Sequence, residues 1–163
     1  MDEEMNSLEK NTTWELVSLS LGRKLVQCKW VFQNKVAAYG RTYKYNVRML
    51  EKCFSQVQGV DYHETFAPVA KMDSVFLVLA ILASKHWEAH HMDVKSAFLH
   101  GDIHEEIYMK NPEGYISNPS LVCKLKKSLY GLKQAPREWY SKMDAFLLSQ
   151  KFQRCRSYPN VYI

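Results

Sequence analysis

The feature that most constrains the fold is a pair of alternating runs on either side of residues 37–41. In residues 25–36 and again in residues 42–50, apolar or aromatic side chains occupy every second position, with Val31 as an additional apolar residue. That period is typical of half-buried β-strands, and the connecting AAYGR has the composition of a turn. The polar positions of the second run are Lys44, Asn46 and Arg48. The pattern therefore predicts a β-hairpin with one basic face.

The remaining segments alternate between helix and strand patterns. Apolar residues at helical spacing predict helices over residues 1–10, 71–85 and 136–150. The near-continuous apolar content of the second predicts that it is buried. Short apolar runs predict strands over residues 14–17, 87–94, 105–109 and 122–126, with a loop over 53–69 and an extended tail over 151–163. This order of elements predicts one α+β domain.

Composition narrows the class of protein. The 163 residues are 47% hydrophobic, which is enough for a folded domain with a core. The net charge of +5 suits an anionic partner such as nucleic acid. The four cysteines are widely spaced and form no CxxC pair, so we expect neither a zinc module nor a disulfide framework, but an intracellular protein, cytoplasmic or nuclear. The acidic N-terminus does not resemble a signal peptide, and no apolar run is long enough to span a membrane.

Two stretches contain residues that could carry chemistry. In HMDVKSAFLHGD, Asp93 follows a predicted strand and precedes small residues, although a single carboxylate there is also typical of a structural or solvated position. In LKKSLYGLKQAPREWY, four cations flank Tyr130 and Gly131, a mixture that suits phosphates and a stacked base. A basic helix entry is equally typical of a solvated face.

Several strings in one order resemble the reverse transcriptase domain of Ty1/copia-type retrotransposon polyproteins. They are TWELV, CKWVFQNKV, GVDYHETFAPVAKMDSV, HHMDVKSAFLHGDIHEEIYMKNPEGY and LVCKLKKSLYGLKQAPREWY, and they cover nearly the whole chain. The resemblance implies a right-hand polymerase, with fingers over about residues 14–70 and part of the palm over about 71–163. It also implies template-directed addition of deoxynucleotides to a primer, with RNA or DNA template-primer, dNTPs and the remainder of the Pol polyprotein as partners, and no membrane.

The resemblance assigns roles to individual residues. Asp93 matches the first metal-binding aspartate, which would hold Mg²⁺ or Mn²⁺, and the carbonyl of Val94 would lie at the same site. Phe98 matches the residue that disfavours a ribose 2′-hydroxyl. The nucleotide-binding positions are completed by Arg48, Lys52, Tyr130, Gly131, Lys133 and Gln134, and nucleic-acid contacts are expected from Lys44, Lys126, Lys127 and Arg137.

Departures from the family pattern limit what we expect the chain to do. The fingers string, usually close to RYKARLVAKGF, reads KYNVRMLEKCF here, so Asn46 replaces a lysine and Cys53 a glycine. The chain contains no YVDD-type hairpin, which supplies the other two catalytic aspartates in the family. Asp102, Glu105 and Glu106 are not expected to replace them. We therefore expect a domain that is truncated before that hairpin and inactive alone. Two alternatives remain open, a non-catalytic nucleic-acid-binding remnant and a functionless, decayed transposon copy.

Overall fold

The protein is described by a computed structural model, whose described residues contain three α-helices, as many as predicted and in the predicted order. It describes residues 1–36, 42–115 and 118–163, and only the backbone of residues 35, 36 and 42–44. The predicted turn at residues 37–41 and the side chain of Lys44 thus lie outside the described residues. The helices are α1 (Asp2–Lys10), α2 (Met72–Lys85) and α3 (Ala135–Ser149). None of them is long and apolar enough to cross a membrane.

The predicted hairpin is confirmed in the strands β3 (Cys28–Val36) and β4 (Thr42–Glu51). They pair antiparallel, with Trp30 opposite Met49 and Val31 opposite Arg48. Because neighbouring residues of a strand point to opposite faces, Arg48 lies on the face opposite to Trp30 and Met49.

The first predicted strand, residues 25–36, is interrupted at Gln27. Its first two residues form a separate strand, β2 (Leu25–Val26), which joins a different sheet from β3. The carbonyl of Gln27 accepts a hydrogen bond from the backbone N–H of Lys52 at 2.7 Å, so the chain changes sheets at the base of the hairpin.

The second sheet has four short strands in the order β1-β6-β5-β2. They are β1 (Trp14–Val17), β2, β5 (Tyr108–Met109) and β6 (Val122–Leu125), so the predicted strands over 105–109 and 122–126 are shorter than expected. β6 is antiparallel to both β1 and β5, and β2 is parallel to β5. The sheet combines strands from both sides of residue 70, and the predicted boundary between fingers and palm near that residue stays a prediction.

The hydrophobic core lies around this sheet and the turn after β6. Its fully buried side chains include Leu8 of α1, Met49 of β4, Met109 of β5 and Leu129. α1 therefore contributes to the core through one apolar face, as its sequence predicts. The α+β class is confirmed by this packing of helices on a mixed sheet.

Two predictions about the central part of the chain are wrong. α2 forms where expected but is not buried, since among its described residues only Ser74 is buried, while Phe76 is 61% and Leu79 50% exposed. Most of the apolar side chains on α2 are therefore exposed to solvent. Residues 87–94, predicted as a strand, have no regular secondary structure and are exposed. A strand needs a neighbour to pair its backbone groups, and none of the described strands reaches these residues.

Candidate functional site

Three segments meet around the ring of Tyr130. The ring centroid of Phe98, in the short 3₁₀ helix Ala97–His100, lies 4.8 Å from that of Tyr130, with the planes tilted by 59°. The guanidinium carbon of Arg48, in β4, lies 4.8 Å from the same centroid. A cation over an aromatic face stabilises this arrangement by about 1 kcal/mol at a partly exposed site. The structure thus brings together three of the residues that the sequence assigns to nucleotide binding.

Gly131 allows β4 to approach this turn closely. Its φ is +97°, and a Cβ atom added to it would lie 2.0 Å from the carbonyl oxygen of Glu51. The backbone N–H of Glu51 donates to the carbonyl of Tyr130 at 2.8 Å. Only glycine fits both the left-handed backbone and the contact, so Gly131 holds the hairpin against the Tyr130 ring.

Lys133 and Gln134 point into a polar network instead of outward. The ammonium of Lys133 donates to the hydroxyl of Tyr62 at 3.0 Å, and its backbone N–H donates to the side chain of Gln56 at 2.9 Å. Gln134 is fully buried and donates to the carbonyl of Asp61 at 2.9 Å. Their arrangement fixes the loop after β4 against the turn, while their predicted nucleotide contacts stay predictions.

Glu51, the last residue of β4, is a buried group that was not among the predicted site residues. Its side chain is 2% exposed, and burial, assisted by nearby Asp61, raises its pKa to about 7 although Ser55 donates a hydrogen bond to it. A signal was available, because the family string RYKARLVAKGF has alanine at the position of Glu51. The signals for Gln56 and Asp61 were weaker, since polar residues in a loop are ordinary.

Asp93 and Val94 make none of the contacts described for this cluster. Both are exposed, on the irregular segment that follows α2, and Val94 is 41% exposed. Within the described part of the chain, the carboxylate of Asp93 forms no ion pair. The strand end that was expected to present Asp93 does not form, and the chain turns shortly after it, where Ser96 has a φ of +53°.

The residues present do not complete a site for Mg²⁺ or Mn²⁺. In residues 1–36, 42–115 and 118–163, no three His, Cys, Asp or Glu side chains are grouped so as to hold a metal ion. Asp102 and Glu106, two acidic residues that follow Asp93 in sequence, are already paired with cations. Lys127 and Lys142 hold the pKa of Asp102 down to about 2, and Tyr108 and Lys124 hold that of Glu106 at about 2. We therefore derive no catalytic step through a metal from this chain.

Most cations predicted to contact nucleic acid have protein partners. Lys126 pairs with Glu15 at 2.6 Å, Lys127 with Asp102, and Arg137 with Glu64 at 2.8 Å. Lys52 donates to the side-chain oxygen of Gln27 at 3.1 Å. Surface ion pairs of this kind are weak, so phosphates could compete for these cations. Binding a phosphate would nevertheless require each of the four to leave its protein partner.

Comparison with known proteins decides the family. The sequence profile described as reverse transcriptase (RNA-dependent DNA polymerase) matches residues 11–163. The chain belongs to the reverse transcriptase family. No solved structure matches significantly.

Two of the relatives of this reverse transcriptase domain are retrotransposon polyproteins. The chain is 49% identical, over 99% of its length, to the retrovirus-related Pol polyprotein from transposon TNT 1-94 of Nicotiana tabacum. It is 38% identical, over its whole length, to that from transposon RE1 of Arabidopsis thaliana. The similarity to Ty1/copia-type Pol polyproteins expected from the sequence is thereby confirmed. The chain spans only 12% and 11% of the lengths of these two relatives.

Proposed function

We propose that the chain is the nucleotide- and template-binding part of a retrotransposon RNA-directed DNA polymerase, and that its own residues do not complete primer extension. The observation that carries the proposal is the cluster of Arg48, Tyr130 and Phe98. It joins a phosphate-binding cation to two aromatic rings at the meeting point of the hairpin and the sheet. Matched family strings and a family profile over residues 11–163 support the polymerase assignment.

Arg48 is the residue best prepared for a triphosphate. It is exposed, and in the described chain it forms no ion pair, so its guanidinium keeps donors available while Tyr130 restricts its orientation. A planar guanidinium binds phosphate oxygens through two parallel hydrogen bonds. Phe98, whose ring centroid lies 4.8 Å from that of Tyr130, would then lie near the sugar and favour a deoxyribose.

The finer assignments belong to the same proposal. Residues 14–70 would be fingers and 71–163 part of the palm, with Asp93 as one metal ligand once further carboxylates are supplied. Template-primer, dNTPs and the rest of a Pol polyprotein would be the partners, in an intracellular setting. The lack of primer extension by this chain alone is supported by the isolated position of Asp93 and by the pairing of Asp102 and Glu106.

A primer-extension assay tests the catalytic half of the proposal. The chain and its Asp93→Asn variant are incubated with a labelled template-primer, dNTPs and Mg²⁺ or Mn²⁺. We expect no template-dependent product from either. Extension by the unaltered chain that Asp93→Asn abolishes would overturn the proposed inactivity.

A second candidate, a nucleic-acid-binding protein without any polymerase role, is favoured by a cavity beside the hairpin. There Lys29, Lys52 and Lys110 line a cavity of about 660 Å³ beside Trp30 and Phe32. None of these lysines forms an ion pair in the described part of the chain. Of the two rings, Phe32 is 65% exposed, and lysines beside an exposed aromatic ring suit phosphates and stacked bases of a single strand.

Salt dependence and nucleotide dependence separate the two candidates. Binding of a labelled single strand that weakens steeply with salt is expected from both. If the chain is part of a polymerase, its affinity for a template-primer should rise when the complementary dNTP is added, and Arg48→Ala should remove that rise. If it only binds nucleic acid, adding the dNTP should have no effect. A Lys29→Ala, Lys110→Ala double variant that loses all binding, with no dNTP effect in the unaltered chain, would favour the second candidate.

A further inference from the structure

The backbone of Glu51 is fixed between the hairpin and the Tyr130–Gly131 turn. Its N–H donates to the carbonyl of Tyr130, and its own carbonyl lies against the α-carbon of Gly131. Since neither group can move without separating the two segments, the direction of the Glu51 side chain is also set. It points inward, and 2% of the residue is exposed.

The buried carboxyl group is only partly satisfied. Oε1 accepts a hydrogen bond from the hydroxyl of Ser55 at 2.8 Å, whereas Oε2 has no hydrogen-bond partner among the described residues. A buried, ionised carboxylate with an unpaired oxygen is costly, and the cost falls when a proton neutralises it.

The charged and titratable groups around Glu51 come from three elements. Asp61 in the following loop opposes ionisation, and Lys133 after the turn favours it. The ammonium of Lys133, however, already donates to the hydroxyl of Tyr62. Cys28 faces it from β3, where burial raises the pKa of the thiol so that it stays neutral near pH 7. The pKa of Glu51, raised to about 7 chiefly by burial, lies within the physiological range.

The glutamate at position 51 distinguishes this chain from the family string. The family string RYKARLVAKGF has alanine at the equivalent position, which has nothing to titrate. Arg48 lies three residues earlier on the same strand, and Tyr130 lies at the other side of the contact that Glu51 makes. Loosening of the backbone contact between Glu51 and Tyr130 would therefore shift β4, which carries Arg48, relative to the Tyr130 ring.

We propose that Glu51 is a proton-dependent positioning residue, which holds the end of β4 on the Tyr130–Gly131 turn when its carboxyl group is protonated and loosens that contact when it is ionised. Its effect on nucleotide binding rests on the proposed function, because it acts through Arg48 and Tyr130. The direction follows from the raised pKa. The folded contact binds a proton more tightly than an open one, so the contact is firm below the ordinary pKa of glutamate and weakens as pH rises through about 7.

Amide hydrogen exchange of the full chain between pH 5 and 8.5 tests the proposal. The probe is the protection of the Glu51 N–H, corrected for the pH dependence of intrinsic exchange. We expect protection to fall by about tenfold or more through pH 7 in the unaltered chain, as one pKa unit of linkage requires. In Glu51→Gln it should stay constant across the range.

Two further variants keep the test decisive. Glu51→Ala, which carries the family residue, should also remove the pH dependence, and it replaces Glu51→Gln if the glutamine variant does not fold. Glu113→Gln, at an exposed glutamate, should keep the profile of the unaltered chain. A flat profile in the unaltered chain, or the same titration in Glu51→Ala as in the unaltered chain, would overturn the proposal.

Nucleotide binding separates this proposal from the one on which it rests. Affinity for fluorescently labelled dATP, with a template-primer present, should be higher at pH 6 than at pH 8 in the unaltered chain and equal at both in Glu51→Ala. If exchange titrates as expected and no nucleotide binds at either pH, the proposed function is overturned and the positioning role of Glu51 stands. If nucleotide binds equally at both pH values and exchange is flat, the positioning role is overturned and the proposed function stands.

Discussion

The turn around Tyr130 and the segment from Phe66 to Val94 differ in how firmly contacts within the chain hold their side chains. At the turn, backbone hydrogen bonds, a glycine contact, an aromatic pair and buried core residues such as Leu129 fix the side chains. In the segment, α2 exposes most of its apolar residues and Asp93 follows without regular structure. The predicted nucleotide-binding residues Arg48, Phe98 and Tyr130 are therefore held by contacts within the chain, whereas the predicted metal ligand Asp93 lies on an exposed, irregular segment.

The contrast separates the formation of a helix from its burial. A run of apolar, helix-favouring residues is sufficient for α2 to form, with His86 in a left-handed conformation ending it. Burial needs a second surface, and a sequence pattern in one segment does not contain it. In the described residues α2 has formed without such a second surface, and Asp93 follows it on an exposed segment.

The largest effect should come from Gly131→Ala. The new Cβ would overlap the Glu51 carbonyl at 2.0 Å and strain a φ of +97°, so we expect a loss of about 4 kcal/mol in the free energy of unfolding, measured with urea and circular dichroism. Gly22→Ala is the matched control, since Gly22 has a φ of +79° but no atom near its added Cβ. It should cost about 1 kcal/mol. Equal losses would show that the close contact at the turn is not rigid.

A pair of leucine variants compares the two regions directly. Leu129→Ala removes a side chain with 0% exposure and should cost about 3 kcal/mol in the same unfolding experiment. Leu79→Ala, on α2, removes a side chain that is 50% exposed and should change stability by less than about 0.5 kcal/mol. A cost at Leu79 close to that at Leu129 would mean that α2 is buried in solution and would break the comparison.

A smaller, pH-dependent effect is expected at Asp102. Its pKa is lowered to about 2 by Lys127 first and Lys142 second, so it stabilises the fold above the ordinary pKa of aspartate and loses that contribution as pH falls through about 2. Because the group is 44% exposed, Asp102→Asn should cost less than about 1 kcal/mol at pH 7 and less still as pH falls through about 2. Asp93→Asn should have no effect on stability at either pH. A loss at Asp93 as large as that at Asp102 would indicate a partner for its carboxylate.

The sequence was sufficient to predict the elements whose partners are local or whose pattern is periodic. The hairpin of β3 and β4, the helix α1 with Leu8 buried, and α3 beginning at Ala135 with a proline in its first turn all follow from period and capping. The break at Gln27 did not follow, because it depends on Lys52, a residue 25 positions away, donating to its carbonyl. The exposure of α2 could not be predicted for the same reason.

For the site, family strings located Arg48, Phe98, Tyr130 and Gly131, and the structure brings them together. They did not reveal that Gln134 is buried in a network with Gln56 and Asp61, since these contacts join residues more than 70 positions apart. The burial of Glu51 was not predicted, because a glutamate at the end of a strand is usually exposed and only its contacts with distant residues bury it.

Nucleotide affinity in three variants is the most direct test of the central claim that the turn, and not Asp93, is the prepared part of the site. Anisotropy of fluorescently labelled dATP is measured with template-primer at pH 6, for the unaltered chain and for Arg48→Ala, Asp93→Asn and the exposed control Arg156→Ala. We predict that Arg48→Ala weakens binding by at least about tenfold, the loss of one charge-assisted contact, and that the other two stay within about twofold. No binding by the unaltered chain, or a larger loss in Asp93→Asn than in Arg48→Ala, would contradict the account.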